Sequence, residues 1–279
     1  MIRKLLAALV IVAANLNVAA QKDGKAILFV HYGTTSDEMR QRSLDAINSD
    51  VKKAFPDVEF MEAYTSPVVI KSLAKKGITV PTPMEALMTL RGKGIRDVTV
   101  QSSMLMNGGQ TDFITLETEK MRPFFNTLNV GKPLLYTIGD SRFITDWLST
   151  KYSGAGQGKG DAVVFVGHGG DNPGTAIYSQ LGEMLAGKEG NFYVATIEGY
   201  PSLGDLVAKM KKDKIKNVTL VPLLIVGGNH IRKDIDGEWK TSLEKEGFNV
   251  KAEMISLGEE PAVREWIVGK IRQSMEKSE

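Results

Sequence analysis

The sequence predicts an α/β protein built as two similar lobes, each a parallel sheet flanked by helices. Three observations carry this prediction: apolar runs of strand length alternate with longer helical stretches, the runs end in glycine-rich turns, and the chain matches itself once. Apolar runs without polar alternation suit strands covered on both faces, which need helical crossovers between them. A chain of 279 residues, 42% hydrophobic and 24% charged, is long enough to bury cores on that scale.

The internal match has three blocks. KAILFVHYG at residues 25–33 aligns without a gap with DAVVFVGHG at 161–169. At the same offset, the Glu62-x-Tyr64 end of a second apolar run meets Glu198-x-Tyr200. At a shorter offset, GIRDVTVQSSMLMNGGQ (94–110) meets KIKNVTLVPLLIVGGNH (214–230). Matched blocks in one order indicate a duplication.

Each half then reads alike. A first strand (Ala26–Val30; Ala162–Val166) ends in a Gly-rich turn, and in the first half Thr34, Thr35 and Ser36 mark the start of the next helix. A second strand ends at the Glu-x-Tyr block. A helical stretch (Pro83–Lys93; Leu203–Lys212) leads to a third strand over Val98–Met106 or Val218–Val226, and to a Gly-Gly turn. Met104 and Met106 alternate along that strand, which turns one of them to the core. Trp239 and Trp266 lie on helical stretches as packing residues. Pro261–Lys277 reads as an amphipathic closing helix with Ser256 or Glu260 as its cap. The lobes are accordingly expected at 21–145 and 146–279.

Residues 1–20 stand apart. Arg3 and Lys4 precede about 16 apolar residues, and Val18 and Ala20 are placed as in a signal-peptidase site. The run is short of the roughly 20 residues that span a bilayer and contains two Asn, which disfavours an anchor. The expectation is a periplasmic protein, cleaved near Ala20, with no membrane span in the mature chain. The net charge of +2 falls toward zero when Arg3 and Lys4 leave, so no basic surface for nucleic acid is expected. The absence of cysteine excludes a thiolate nucleophile, a lipoprotein anchor and a Cys-ligated metal site.

Ligands of parallel sheets sit beyond the carboxyl ends of the strands. In the second half those ends carry His168, Glu198 and His230; in the first they carry Tyr32, Glu62 and Gln110. Two imidazoles and a carboxylate make an open first shell for a divalent metal, here Co2+, Fe2+, Ni2+ or Zn2+. His31 is displaced by one residue from the first-half equivalent. Taken singly, each His is more often a hydrogen-bonded structural residue than a ligand; it is their joint placement on one sheet edge that supports a metal site.

The FVHYGTTS opening, AYTSPVVIKSLAKKGI followed by TPMEAL, QSSMLMNGG, VVFVGHG, IEGYP, PLLIVGGNH with Asp236-Gly-x-Trp239 downstream, and LGEEPAVRE occur in that order from about Lys25 to the C-terminus. In these stretches the chain resembles the anaerobic sirohydrochlorin cobaltochelatases, a branch of the class II tetrapyrrole chelatases. The resemblance implies a lyase of cobalamin (vitamin B12) biosynthesis that inserts Co2+, or Fe2+, into sirohydrochlorin in a cleft between two lobes. It implies His168 as metal ligand and proton acceptor, with Glu198 and His230 as further ligands. Some members of the family are periplasmic, in agreement with residues 1–20. For the carboxylate-rich rim of such a substrate, Thr34, Thr35, Ser36 and Arg232 are candidate contacts. Gln110 is a departure, standing where the family tends to carry an acid, as Met104 stands where it tends to carry a His.

The competing expectation is an exported haem- or tetrapyrrole-binding protein, or an iron-dechelating one, on the same fold. Export, Met104 and Gln110 motivate it. A third reading is a metal carrier using His168, Glu198 and His230 alone. A homo-oligomer is compatible with each.

Overall fold

The computed structural model describes residues 24–228 and 232–276. The export segment 1–20, His230 and Lys277 lie outside the described residues. Each lobe is one four-stranded parallel sheet, as expected of the fold class. The first holds β1 (Lys25–His31), β2 (Glu59–Tyr64), β3 (Asp97–Ser102) and β4 (Thr127–Val130) in the order β2-β1-β3-β4. The second holds β5 (Asp161–Gly169), β6 (Phe192–Glu198), β7 (Asn217–Pro222) and β8 (Asn249–Ala252) in the order β6-β5-β7-β8.

Two features of the strands differ from the sequence reading. The edge strands β4 and β8 were not foreseen; each is four residues of mixed polarity, TLNV and NVKA, too short to show a pattern. The third strands also stop earlier, at Ser102 and Pro222. Past Ser102 the ladder is replaced by bonds from the chain after β4, with Leu134 N–H to Met104 O at 2.9 Å and Leu135 N–H to Leu105 O at 2.8 Å. Met104 and Met106 therefore lie in a loop, half-buried against different core clusters.

The duplication is carried by the register as well as the order. Lys25 pairs with Asp97 as Asp161 pairs with Asn217. Capping boxes at Thr82–Glu85 and Ser202–Asp205 start the equivalent helices α3 (Pro83–Gly92) and α7 (Leu203–Lys212). The second strands are the exception. Phe29 pairs with Glu62, but Phe165 pairs with Val194, and Glu198 pairs with Gly169. Glu62 thus takes the place of Val194, one step of four residues deeper than Glu198. Because side chains alternate with a period of two, a slip by four keeps the facing pattern and is invisible in it.

Alternate residues of the central strands face different cores. Ile27 and Phe29 of β1 and Val163 and Phe165 of β5 enter one central cluster, while Leu28 and Val164 enter clusters on the outer faces. Two helices close the central cluster by exchange. Helix α5 (Ile138–Lys151) follows the first sheet but packs on α6 (Ala176–Ala186) of the second lobe. Helix α9 (Pro261–Glu276) ends the chain but packs on the first lobe, against β3, β4 and residues 46–54. Residue 145, the expected boundary, falls inside α5. Trp266 of α9 stacks on Phe143 of α5 at 5.0 Å. Lys270 Nζ reaches Asp140 Oδ1 and Oδ2 at 2.9 and 2.8 Å in a buried pair. Burial opposes ionisation of Asp140, yet hydrogen bonds from Lys270 and Thr137 outweigh it and hold the carboxyl below its ordinary range.

Candidate functional site

The carboxyl ends of the two sheets meet in a reciprocal way. The loop after β1 touches the Gly-Gly turn after β7: a Cβ at Gly228 would lie 3.6 Å from Thr34 Oγ1, and one at Gly227 3.8 Å from Met39 Sδ. The loop after β5 touches the Gly-Gly turn after β3, where Gly174 packs on the Asn107 carbonyl and a Cβ at Gly108 would lie 3.1 Å from Asn172 Nδ2. Both sets of strand ends therefore border one seam between the lobes.

On the second lobe, His168 and Glu198 are exposed side chains at the ends of adjacent strands. Gly169, the strand partner of Glu198, has φ +74°, and a side chain there would run into the Glu198 carbonyl. His168 Nδ1 lies 3.3 Å from the Gly169 carbonyl. A carbonyl only accepts, so Nδ1 carries a proton there; in the neutral ring the lone pair that a ligand or base needs is then on Nε2. Among the described residues no three His, Asp or Glu side chains converge as a metal cluster; His230, the third expected ligand, is outside them.

Behind His168 stands a residue that the sequence reading missed. The Tyr178 ring of α6 packs against Gly167, and its hydroxyl is placed at the main-chain amides of His168 and Gly169. Burial pushes this hydroxyl up to about 12, with the amides drawing it back in part. Tyr178 thus supports the strand end that carries His168. The only trace in the sequence is Gly167 where the first half has His31.

His31 itself points away from the seam. It is fully buried, with Nδ1 2.9 Å from Ser103 Oγ and Nε2 3.0 Å from Asn48 Oδ1. Asn48 Nδ2 in turn donates to Glu62 Oε1 at 2.8 Å. Burial holds the imidazole below its ordinary 6.5, only partly offset by Glu62. Its counterpart is Gly167, and the counterpart of His168 is Tyr32.

The remaining candidates are distributed unevenly. Thr34 is buried, with its Oγ1 accepting from Ser36 N–H at 3.3 Å; Ser36 Oγ accepts from Met39 N–H as a helix cap. Thr35, Gln110 and Arg232 are exposed, Gln110 in the first turn of α4 (Gly109–Met121) and Arg232 at the start of a π-helical stretch, Lys233–Trp239. Trp239 is buried in that stretch. Ser256 caps a short turn with Glu259, not the closing helix.

The two-lobed parallel fold is shared with solved structures of sirohydrochlorin chelatases. Bacillus subtilis SirB with Fe3+ superimposes with a TM-score of 0.61 at 16% identity, over 91% of this chain and 96% of SirB. The sirohydrochlorin cobaltochelatase of Salmonella typhimurium is 30% identical over 256 residues, 90% of this chain and 96% of the relative. The sirohydrochlorin cobaltochelatase CbiKC of Nitratidesulfovibrio vulgaris is 28% identical over 230 residues, 80% of this chain and 81% of the relative. The family model described as Cobalt chelatase (CbiK) matches residues 25–276. The chain belongs to this family and is a metal chelatase.

Proposed function

We propose that this chain inserts Co2+, with Fe2+ as second choice, into sirohydrochlorin on the route to cobalamin. The observation that carries the reading is the placement of two exposed donors, His168 and Glu198, at the carboxyl ends of adjacent strands β5 and β6. The names of the Salmonella and Nitratidesulfovibrio relatives support the substrate and the metal.

Metallation replaces two pyrrole N–H protons by one divalent ion. His168 Nε2, Glu198 and His230 hold the incoming ion in a site of few ligands, from which it can pass to the macrocycle; once the ion has left, His168 Nε2 accepts one of the two displaced protons and the other goes to solvent. Thr35, Gln110 and Arg232 are the exposed groups that reach for the acidic rim. The basic-apolar pattern over residues 1–20 supports action outside the cytoplasm after cleavage near Ala20. N-terminal sequencing of the protein recovered from the periplasm tests this placement.

Purified protein, sirohydrochlorin and Co2+ are expected to give the metallated absorption spectrum faster than the uncatalysed mixture. No acceleration with Co2+ or Fe2+ overturns the reading. The exported haem-binding or iron-dechelating alternative is supported by Gln110, an exposed neutral group in the first turn of α4. It predicts a shifted Soret band on adding haem, or loss of that band.

A further inference from the structure

We propose that Tyr32 is a substrate-positioning residue whose ring forms the first lobe's wall of the cleft, against which the planar tetrapyrrole lies. The inference rests on the chelatase reading above and adds to it the half of the cleft that carries no metal ligand.

Tyr32 is 48% exposed at the carboxyl end of β1, directly after the buried His31. Its main chain is held by the segment that ends β2. The Tyr32 carbonyl accepts from Ser66 N–H at 3.3 Å, the His31 carbonyl accepts from Thr65 N–H at 2.9 Å, and Gly33 packs on the Tyr64 ring. Single exposed aromatics are ordinary on protein surfaces; what distinguishes this one is its place. It occupies on β1 the position that His168 occupies on β5, and two residues further on Thr34 touches Gly228 of the other lobe. Tyr32 is therefore an exposed aromatic on a fixed backbone, two residues from a contact across the seam. Tyr200, 62% exposed, stands two residues beyond Glu198 on the second lobe.

An aromatic face is attracted to another flat π-system, and Tyr keeps its hydroxyl in water while its ring is covered. Tyr32 takes part in no proton transfer. It fixes the plane of the macrocycle so that its nitrogens face His168, a positional contribution to the barrier.

The test is a titration of metal-free sirohydrochlorin into wild type, Tyr32→Ala and Tyr32→Phe, followed by kcat and KM with Co2+. Tyr32→Ala is expected to weaken binding and raise KM by about tenfold, while Tyr32→Phe stays within about twofold of wild type. Co2+ affinity without tetrapyrrole and the melting temperature stay unchanged in both. Wild-type binding retained in Tyr32→Ala, or Tyr32→Phe as weak as Tyr32→Ala, overturns the inference and leaves the chelatase reading standing. A wild type that binds no sirohydrochlorin overturns both.

Discussion

His31 and His168 sit one residue apart in the repeat, on the central strands of two lobes with the same topology, yet their surroundings differ in every respect. Both nitrogens of His31 are engaged, by Ser103 and Asn48, inside the central core. His168 engages only Nδ1, on the Gly169 carbonyl, and its side chain is exposed at the strand end. Strand alternation explains the divergence: neighbouring residues on a strand face opposite ways, so one step in sequence separates a core position from a cleft position. Duplication supplied two equal scaffolds, and single substitutions at equal positions divided their roles. His31 faces Gly167 in the alignment, and His168 faces Tyr32.

The sharpest way to break this contrast is to remove each imidazole. His168→Ala is expected to lower the metallation rate by about 100-fold or more with the melting temperature nearly unchanged. His31→Ala should do the reverse, taking the imidazole from Asn48 Oδ1 and Ser103 Oγ and leaving a cavity, at a cost of about 2–3 kcal/mol in denaturant unfolding, with metallation by the folded protein retained. If His168→Ala retained full turnover, the division of roles would fall.

A second prediction concerns what joins the lobes. Asp140→Ala leaves the Lys270 ammonium buried and unpaired between α5 and α9. Urea unfolding should show a loss of about 3–5 kcal/mol. A change under about 1 kcal/mol would mean that this pair does not secure the exchanged helices.

The matched glycines after β1 and β5 allow a finer comparison. Gly33 has φ +97° and faces the Tyr64 ring, a side chain; Gly169 has φ +74° and faces the Glu198 carbonyl, which is main chain. Both Ala variants are strained, at about 1–3 kcal/mol. Only Gly169→Ala should also weaken Co2+ binding, because it displaces the strand end bearing Glu198; equal effects on Co2+ titration would count against that.

The smallest effect is on acid stability. Burial keeps the folded-state pKa of His31 below 6.5, so the unfolded chain takes up the proton first as pH falls. The stability gained from neutral His31 is complete above about pH 6.5 and declines below it, toward the lower folded value. His31→Gln should flatten the fall in melting temperature between neutral and mildly acidic pH. An unchanged slope would assign that fall to other groups.

Much of this was legible before the fold was seen. The duplication, the parallel sheets and the strand-end placement of His168 and Glu198 followed from apolar runs and glycine turns. Three things were not. The Glu62–Glu198 match misled, because strand register is set by pairing and a slip of four leaves the facing pattern intact. The edge strands β4 and β8 are half-exposed and carry no periodic signal. Tyr178 reads as an ordinary apolar position of an amphipathic helix, and only its packing on Gly167 reveals what it holds.

The exchange of α5 and α9 has an evolutionary consequence. Each half ends in a helix whose binding surface belongs to the other half, so a single lobe standing alone would expose an apolar face and lack its own cover. The arrangement is that of two identical subunits that trade their terminal helices across a twofold axis. The present chain reads as such a swapped pair made covalent, and the link freed its two strand-end positions to diverge into one imidazole and one phenol.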